Sequence, residues 1–147
     1  MSTKAEIFSK LAIRTEAVKP KRTVFVIRPE DLRKVFEELI KTFGPESFYL
    51  STIVGVDLPA ENRMRLDYYI HLVPEGETVV IRTFIDRSNP VIDSIIDIIP
   101  GALAGESETF DLLGIVFKGN PYLKRGFFVP VDLVQKGIHP LRKDSGV

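Results

Sequence analysis

The run from Pro29 to Phe43 leaves this chain little choice of architecture. Leu32, Val35, Phe36, Leu39, Ile40 and Phe43 recur at helical spacing and form one apolar stripe. Pro29 suits a first helical position, Glu30 and Asp31 complement the positive end of the helix dipole, and Gly44-Pro45 stops the helix. A helix that is apolar along one side must bury that side, and the flanking sequence offers strands to bury it on. Thr23 to Ile27 is a compact β-branched and aromatic run, which predicts a strand buried on both faces. Three more strands are predicted after the helix. Residues 47–58 are apolar with β-branched members, 64–73 alternate with Met64, Leu66, Tyr68, Ile70 and Leu72 on one side, and 78–86 place Val79, Ile81, Thr83 and Ile85 on one side. Pro59 to Arg63 and Pro74 to Glu77 are hairpin-sized and carry turn residues. The order β-α-β-β-β predicts an α+β fold, a mixed or antiparallel four-stranded sheet with helices on one face.

On either side of this unit the pattern changes. Thr3 with Glu6 fits a capping box, and Ile7, Phe8, Leu11 and Ala12 predict a short helix over 4–14. Lys19-Pro-Lys-Arg22 reads as an extended linker, because the residue before a proline is pushed out of the helical region. Beyond the last strand Asn89-Pro90 breaks the chain. A helical stretch carrying Ile92, Ile95, Ile96 and Ile99 follows, and Pro100-Gly101 leads into another helix over 102–113.

That last helix has an odd composition. Leu103, Phe110 and Leu113 share one face with Glu106 between them, while Glu108 and Asp111 fall on another side and read as solvated or interface charges. A carboxylate on an apolar face must find a cation and hydrogen bonds or take up a proton. Lys124 and Arg125 are the nearest cations, reachable if the chain turns back at Gly119 to Pro121, and a neighbouring subunit is the other source. The stretch reads as a polar clamp.

Charge is distributed unevenly along the chain. Residues 1–117 hold 14 basic and 18 acidic side chains, and residues 118–147 hold 6 basic and 2 acidic ones, so the end of the chain is basic although the net charge is zero. In that end Gly119, Pro121, Gly126, Pro130, Gly137 and Pro140 come too often for regular structure, while Phe127, Phe128 and Val129 are too apolar for a solvated tail. The expected organisation is one α+β domain over 1–117 and an extended basic arm over 118–147 that docks on a partner subunit. Six cations spaced among prolines are a weak nucleic-acid footprint, and an acidic protein surface is the expected target.

The chain has no cysteine, which excludes iron–sulfur clusters, disulfides and cysteine zinc sites within it. Its first residues include Lys4 and Glu6 without an apolar core of signal-peptide length, and Ser88 to Gly105 is interrupted by Asp93, Asp97 and two prolines. The expectation is a cytoplasmic protein that reaches a membrane only through partners. Glu106, Glu108 and Asp111 with His71 or His139 would be the raw material of an acid–base or metal site, but no nucleotide loop or hydrolase motif accompanies them. His71 shares its strand face with Arg65, Asp67 and Tyr69 and reads as structural, and His139 before Pro140 reads as packing or hydrogen-bonding.

The pattern Glu106-x-Glu108-x-x-Asp111-Leu-Leu-Gly-Ile-x-Phe-x-Gly-Asn120-Pro121-x-Leu-Lys124-Arg125 resembles the signature of the 30 kDa subunit family of respiratory complex I. The family includes the homologous small subunit of membrane-bound nickel–iron hydrogenases and related ion-translocating oxidoreductases. His139-Pro-Leu-Arg142-Lys143-Asp144 is similar to the family's usual ending, so two motifs in the right order cover most of residues 106–144. The chain departs from the pattern at Ser107, where the family commonly has arginine. The resemblance implies a cofactor-free accessory subunit with no catalytic site of its own, on the cytoplasmic face of the membrane. Its expected partners are a large catalytic subunit, of nickel–iron or quinone-site type, and the complex's iron–sulfur subunits. The departure at Ser107 points toward a membrane-bound hydrogenase or a related ion-translocating complex; the 30 kDa subunit of NADH-quinone oxidoreductase proper is the alternative, and a stand-alone acid/base hydrolase is a further one. Glu106 is the expected buried pin, with Asp111 capping or pairing near it and Glu108 beside them. Asn120, Pro121, Lys124 and Arg125 are expected to fix the arm's departure, and His139, Arg142 and Lys143 to anchor its end.

Overall fold

Helix α2 (Leu32–Phe43), entered through a single 3-10 turn at Pro29–Asp31, buries Leu32, Val35, Phe36 and Leu39 as its stripe requires. The structure, a computed structural model, describes residues 3–18 and 22–147. Gly44 ends the helix at φ 90°, a backbone conformation that glycine adopts without the steric cost of a Cβ. The stripe meets one face of a sheet built from β1 (Ala12–Val18), β2 (Arg22–Ile27), β3 (Phe48–Leu58), β4 (Arg63–Leu72) and β5 (Thr78–Asp86) in the order β1-β2-β5-β4-β3. The ring of Phe36 lies 6.0 Å from those of both Phe48 and Tyr68.

β2 and β5 pair in parallel, and the other neighbours are antiparallel, so the sheet is mixed. It has five strands where the pattern predicts four. The extra strand is β1: helix α1 (Lys4–Leu11) ends three residues earlier than expected, and the chain reverses into an antiparallel pairing with β2. Arg14, Thr15, Glu16 and Ala17 lack the apolar alternation that signals a strand because β1 lies at a sheet edge. Thr3 precedes α1 but makes no side-chain cap. α1 is instead tied down by Lys4, whose Nζ donates to the carbonyls of Ser47 (2.8 Å) and Val73 (2.5 Å) and to Glu75 (2.8 Å). The expected linker at 19–21 lies outside the described residues, and Arg22 begins β2.

The isoleucine run after Pro90 is not a helix. Val91–Asp93 forms a short strand, β6, in parallel with β7 (Val116–Lys118), and the chain then turns. The Ser94 N–H donates to the Lys118 carbonyl and the Ile95 N–H to the Glu106 carboxylate, so these amides are drawn out of any helical ladder. Helix α3 (Leu103–Leu113) follows and packs on β3 with two glycines at the contact. A Cβ at Gly55 would sit 2.5 Å from Leu113 Cδ1, and one at Gly105 would sit 2.9 Å from Ile53. α3 buries Glu106 and Leu113 of the predicted face and half-buries Phe110, but leaves Leu103 exposed and also buries Thr109 and Asp111. Residues 118–147 contain one short helix, α4 (Val131–Gln135), and run back over the domain.

Candidate functional site

Three buried carboxylates hold the end of the chain against the domain. Glu106, on the first turns of α3, is fully buried. Its Oε1 accepts from Ser94 Oγ at 2.6 Å and from Asn120 Nδ2 at 2.9 Å, and its Oε2 accepts from the Ile95 N–H at 2.9 Å. The predicted cation is not there: Lys124 is exposed, and Arg125 goes elsewhere. Burial pushes the Glu106 carboxyl above the usual carboxylate range, against the lowering effect of its hydrogen bonds from Ser94, Ile95 and Asn120. Glu106 is therefore a pin made of neutral donors that joins α3 to the β6 turn and to the start of the arm.

Asp111 takes the cation expected at Glu106. It is also fully buried, which corrects its reading as a solvated charge, and only Glu108 remains exposed as expected. Asp111 Oδ1 accepts from Arg125 Nε at 2.8 Å and the Gly126 N–H at 3.1 Å, and Oδ2 from the N–H groups of Phe128 at 2.8 Å and Val129 at 3.0 Å. Burial would raise this carboxyl, but the donors from Phe128, Arg125, Gly126 and Val129 outweigh it and hold the group below its ordinary value. Arg125 also donates through Nη2 to the Ile138 carbonyl.

The third carboxylate escapes a reading of the sequence. Asp57, near the end of β3, accepts from Arg87 at 2.6 and 3.0 Å and from the Lys143 backbone N–H at 2.7 Å. The hydrogen bond from Arg87 leads the effects that hold it below its usual value. A lone charge in the apolar run Ile53-Val54-Gly55-Val56-Asp57-Leu58 is its only signal, while its partners lie 30 and 86 residues away.

Between these pins the arm follows α3. The Leu141 N–H donates to the Leu112 carbonyl at 2.9 Å, and His139 Nδ1 lies 3.0 Å from the Asp111 carbonyl, the geometry of a donated N–H. Burial lowers the His139 pKa, and Arg125 and Arg142 add to the lowering. Gly114, at φ 80°, makes room for that ring, since a Cβ there would stand 3.0 Å from His139 Cδ2. Arg142 pairs with Asp144 at 3.0 Å, which also reaches Arg87 at 3.3 Å. Of the residues expected to fix the arm, Asn120, Arg125 and His139 contact the domain or the arm's own backbone through side chains and Lys143 contacts Asp57 through its backbone. The Arg142 side chain, among the described residues, pairs only with Asp144 within the arm. Pro121 and Lys124 are exposed. The residues near Glu106 and Asp111 that sequence reasoning misses are Ser94 and the backbone amides of the arm.

This geometry serves position rather than proton transfer. Every oxygen of Glu106 and Asp111 is occupied by a donor from the protein, and neither side chain reaches solvent. The arm instead turns Tyr122, Phe127, Phe128 and Val131 outward, with Phe127 74% exposed and its ring 5.8 Å from that of Phe128. Among the described residues no cluster of three or more metal-ligating side chains occurs, and no helix is long and apolar enough to cross a membrane.

The family model for the respiratory-chain NADH dehydrogenase 30 kDa subunit matches residues 25–147, from β2 through the last pin. The chain belongs to this family. It is 36% identical over 96 residues to an NADH-quinone oxidoreductase subunit of Moorella thermoacetica, covering 65% of this chain and 62% of that one. It is 32% identical over 96 residues to an F(420)H(2) dehydrogenase subunit of Methanosarcina mazei, covering 65% of this chain and 59% of that one. The chain thus spans about three fifths of the length of these relatives. A chain in the structure of the membrane-bound sulfane sulfur reductase, an archaeal respiratory membrane complex, superposes with a TM-score of 0.76 at 25% identity, over 95% of this chain and 81% of that one. These relatives are subunits of complex I-like oxidoreductases.

Proposed function

We propose that this chain is a cofactor-free accessory subunit in the peripheral arm of a membrane-bound complex I-like oxidoreductase. Its folded domain braces a large catalytic subunit, beside iron–sulfur subunits, on the cytoplasmic face of the membrane. One observation carries the reading: Glu106 and Asp111 of the family signature are spent on holding the arm, and the arm so held presents an apolar ridge of Tyr122, Phe127, Phe128 and Val131 to a neighbour. Solvated ridges of that kind mark contact surfaces.

Within this reading the complex is a membrane-bound nickel–iron hydrogenase or a related ion-translocating assembly. The likeness to the sulfane sulfur reductase chain over nearly the whole length supports the related-assembly branch. The relatives from NADH-quinone oxidoreductases favour the alternative, that enzyme proper. Purification of the tagged chain from its native membrane in mild detergent separates them. Recovery of a large subunit with nickel-binding cysteines identifies a hydrogenase; where they are absent, co-recovery of NADH-oxidising subunits identifies the NADH-quinone enzyme, and their absence the related assembly. Recovery of the chain alone, as a monomer, contradicts the accessory role.

A further inference from the structure

The two faces of the five-stranded sheet are treated differently. α1, α2 and α3 cover one face, and no described helix covers the other. All five arginines of the strands, Arg14, Arg22, Arg63, Arg65 and Arg82, fall on this second face by register, and the five strands contain no lysine. Three of the guanidinium groups lie over aromatic rings. Arg22 lies 5.3 Å above the Tyr69 ring, and Arg14 and Arg63 lie 5.9 and 3.7 Å from that of Phe84. Val24, Val26 and Val80 are buried on this face and pack against Tyr69 and Phe84, the rings that carry the arginines.

The carboxylates on this face offset most of its positive charge and leave a surplus centred on Arg22. Arg63 donates to Glu61 at 2.6 and 2.9 Å, and Asp86 stands opposite Arg63 in the register. Asp67 is buried and accepts from Arg82 at 2.8 and 3.1 Å, with Arg65 Nε 3.3 Å away. Glu16 lies 3.3 Å from Arg14 and 3.4 Å from Arg82. Arg22 has no ion pair among the described residues, and its buried Nε has no hydrogen-bond partner. Pre-stacked arginines among tyrosine and phenylalanine, without lysine, are the composition of protein contact surfaces rather than of flexible polycation patches.

We infer that this arginine-roofed sheet face is a second docking surface, which receives a carboxylate-rich segment of a partner protein. The inference rests on the chain being a subunit of a larger assembly, and its test separates the two. p-Benzoylphenylalanine is placed at Thr78, beside Arg22 in the register, and in a separate variant at Phe127 on the arm. Each full-length chain is photocrosslinked in its assembled native complex, and the joined peptides are sequenced. Thr78 is expected to crosslink to a protein segment rich in Asp and Glu. The combined change Arg14→Glu with Arg22→Glu is expected to cut that product at least about tenfold and to leave the Phe127 product unchanged. Should the reversed chain fail to assemble, the unaltered chain is crosslinked across a salt series. A Thr78 product that falls with salt supports the inference, and one indifferent to salt overturns it. A Thr78 product with lipid, nucleic acid or a segment lacking carboxylates, or no product while Phe127 still crosslinks, also overturns it. If neither position crosslinks, the subunit reading itself fails.

Discussion

Glu106 and Asp111 are five residues apart on one helix, equally buried, and held in opposite ways. Glu106 is met by a hydroxyl, an amide and one backbone N–H, none of them charged, and its carboxyl is pushed up. Asp111 is met by a guanidinium and three backbone N–H groups, and its carboxyl is pulled down. The direction of each shift is thus set by the balance between burial, which raises both carboxyls, and the donors, which outweigh it only at Asp111. Asp111 is the electrostatic anchor of the arm, and Glu106 is a hydrogen-bonding joint that tolerates a proton.

The largest expected effect is at the anchor. Asp111→Ala strands Arg125 and three amides and should cost about 3–5 kcal/mol, read by urea unfolding, with faster tryptic cleavage after Arg125. An equal cost at both pins would erase the contrast. Glu106→Ala leaves only neutral donors unpaired and should cost about 1–3 kcal/mol in the same assay.

The contrast sharpens with pH. The folded-state pKa of Asp111 lies below its unfolded value, so its contribution is present above the unfolded pKa and is lost as pH falls through the folded one. That of Glu106 lies above its unfolded value, so its ionised form is penalised at neutral pH and the penalty disappears as pH falls through the folded pKa. Unfolding free energies measured from neutral to acid pH should show wild type losing ground to Asp111→Asn and gaining it on Glu106→Gln. Parallel trends for the two variants would refute the assignment.

Smaller effects follow along the arm. Gly114→Ala forces a Cβ into a left-handed backbone and against His139 and should cost about 1–2 kcal/mol. Lys124→Ala should stay within about 0.5 kcal/mol of wild type, because its side chain is exposed. Thermal unfolding reads both.

Much of this fold is visible in the sequence where local pattern and tertiary demand agree. The stripe of α2 and the alternation in β4 and β5 are such places. β1 is hidden because an edge strand need not alternate apolar and polar residues. Ile92 to Ile99 misleads because helical spacing also suits a short strand and turn whose amides are claimed by Glu106 and the Lys118 carbonyl. At the site, Glu106 is legible as a carboxylate on a helix that must bury, but its donors are not. The Asp111 partners lie 14 to 18 residues ahead in a segment without periodicity, and Arg125 stands in sequence as a candidate for both acids. Asp57 closes on Lys143 over 86 residues, a distance at which pattern carries no information.

The most direct test of Asp111 as the anchor is amide hydrogen exchange at Phe128 and Val129 in the isolated chain, with and without Asp111→Asn. Both amides should exchange slowly in wild type and lose that protection in the variant, with the α2 amides unchanged. Exchange of Phe128 and Val129 at unfolded-chain rates in wild type would show that Asp111 does not hold the arm.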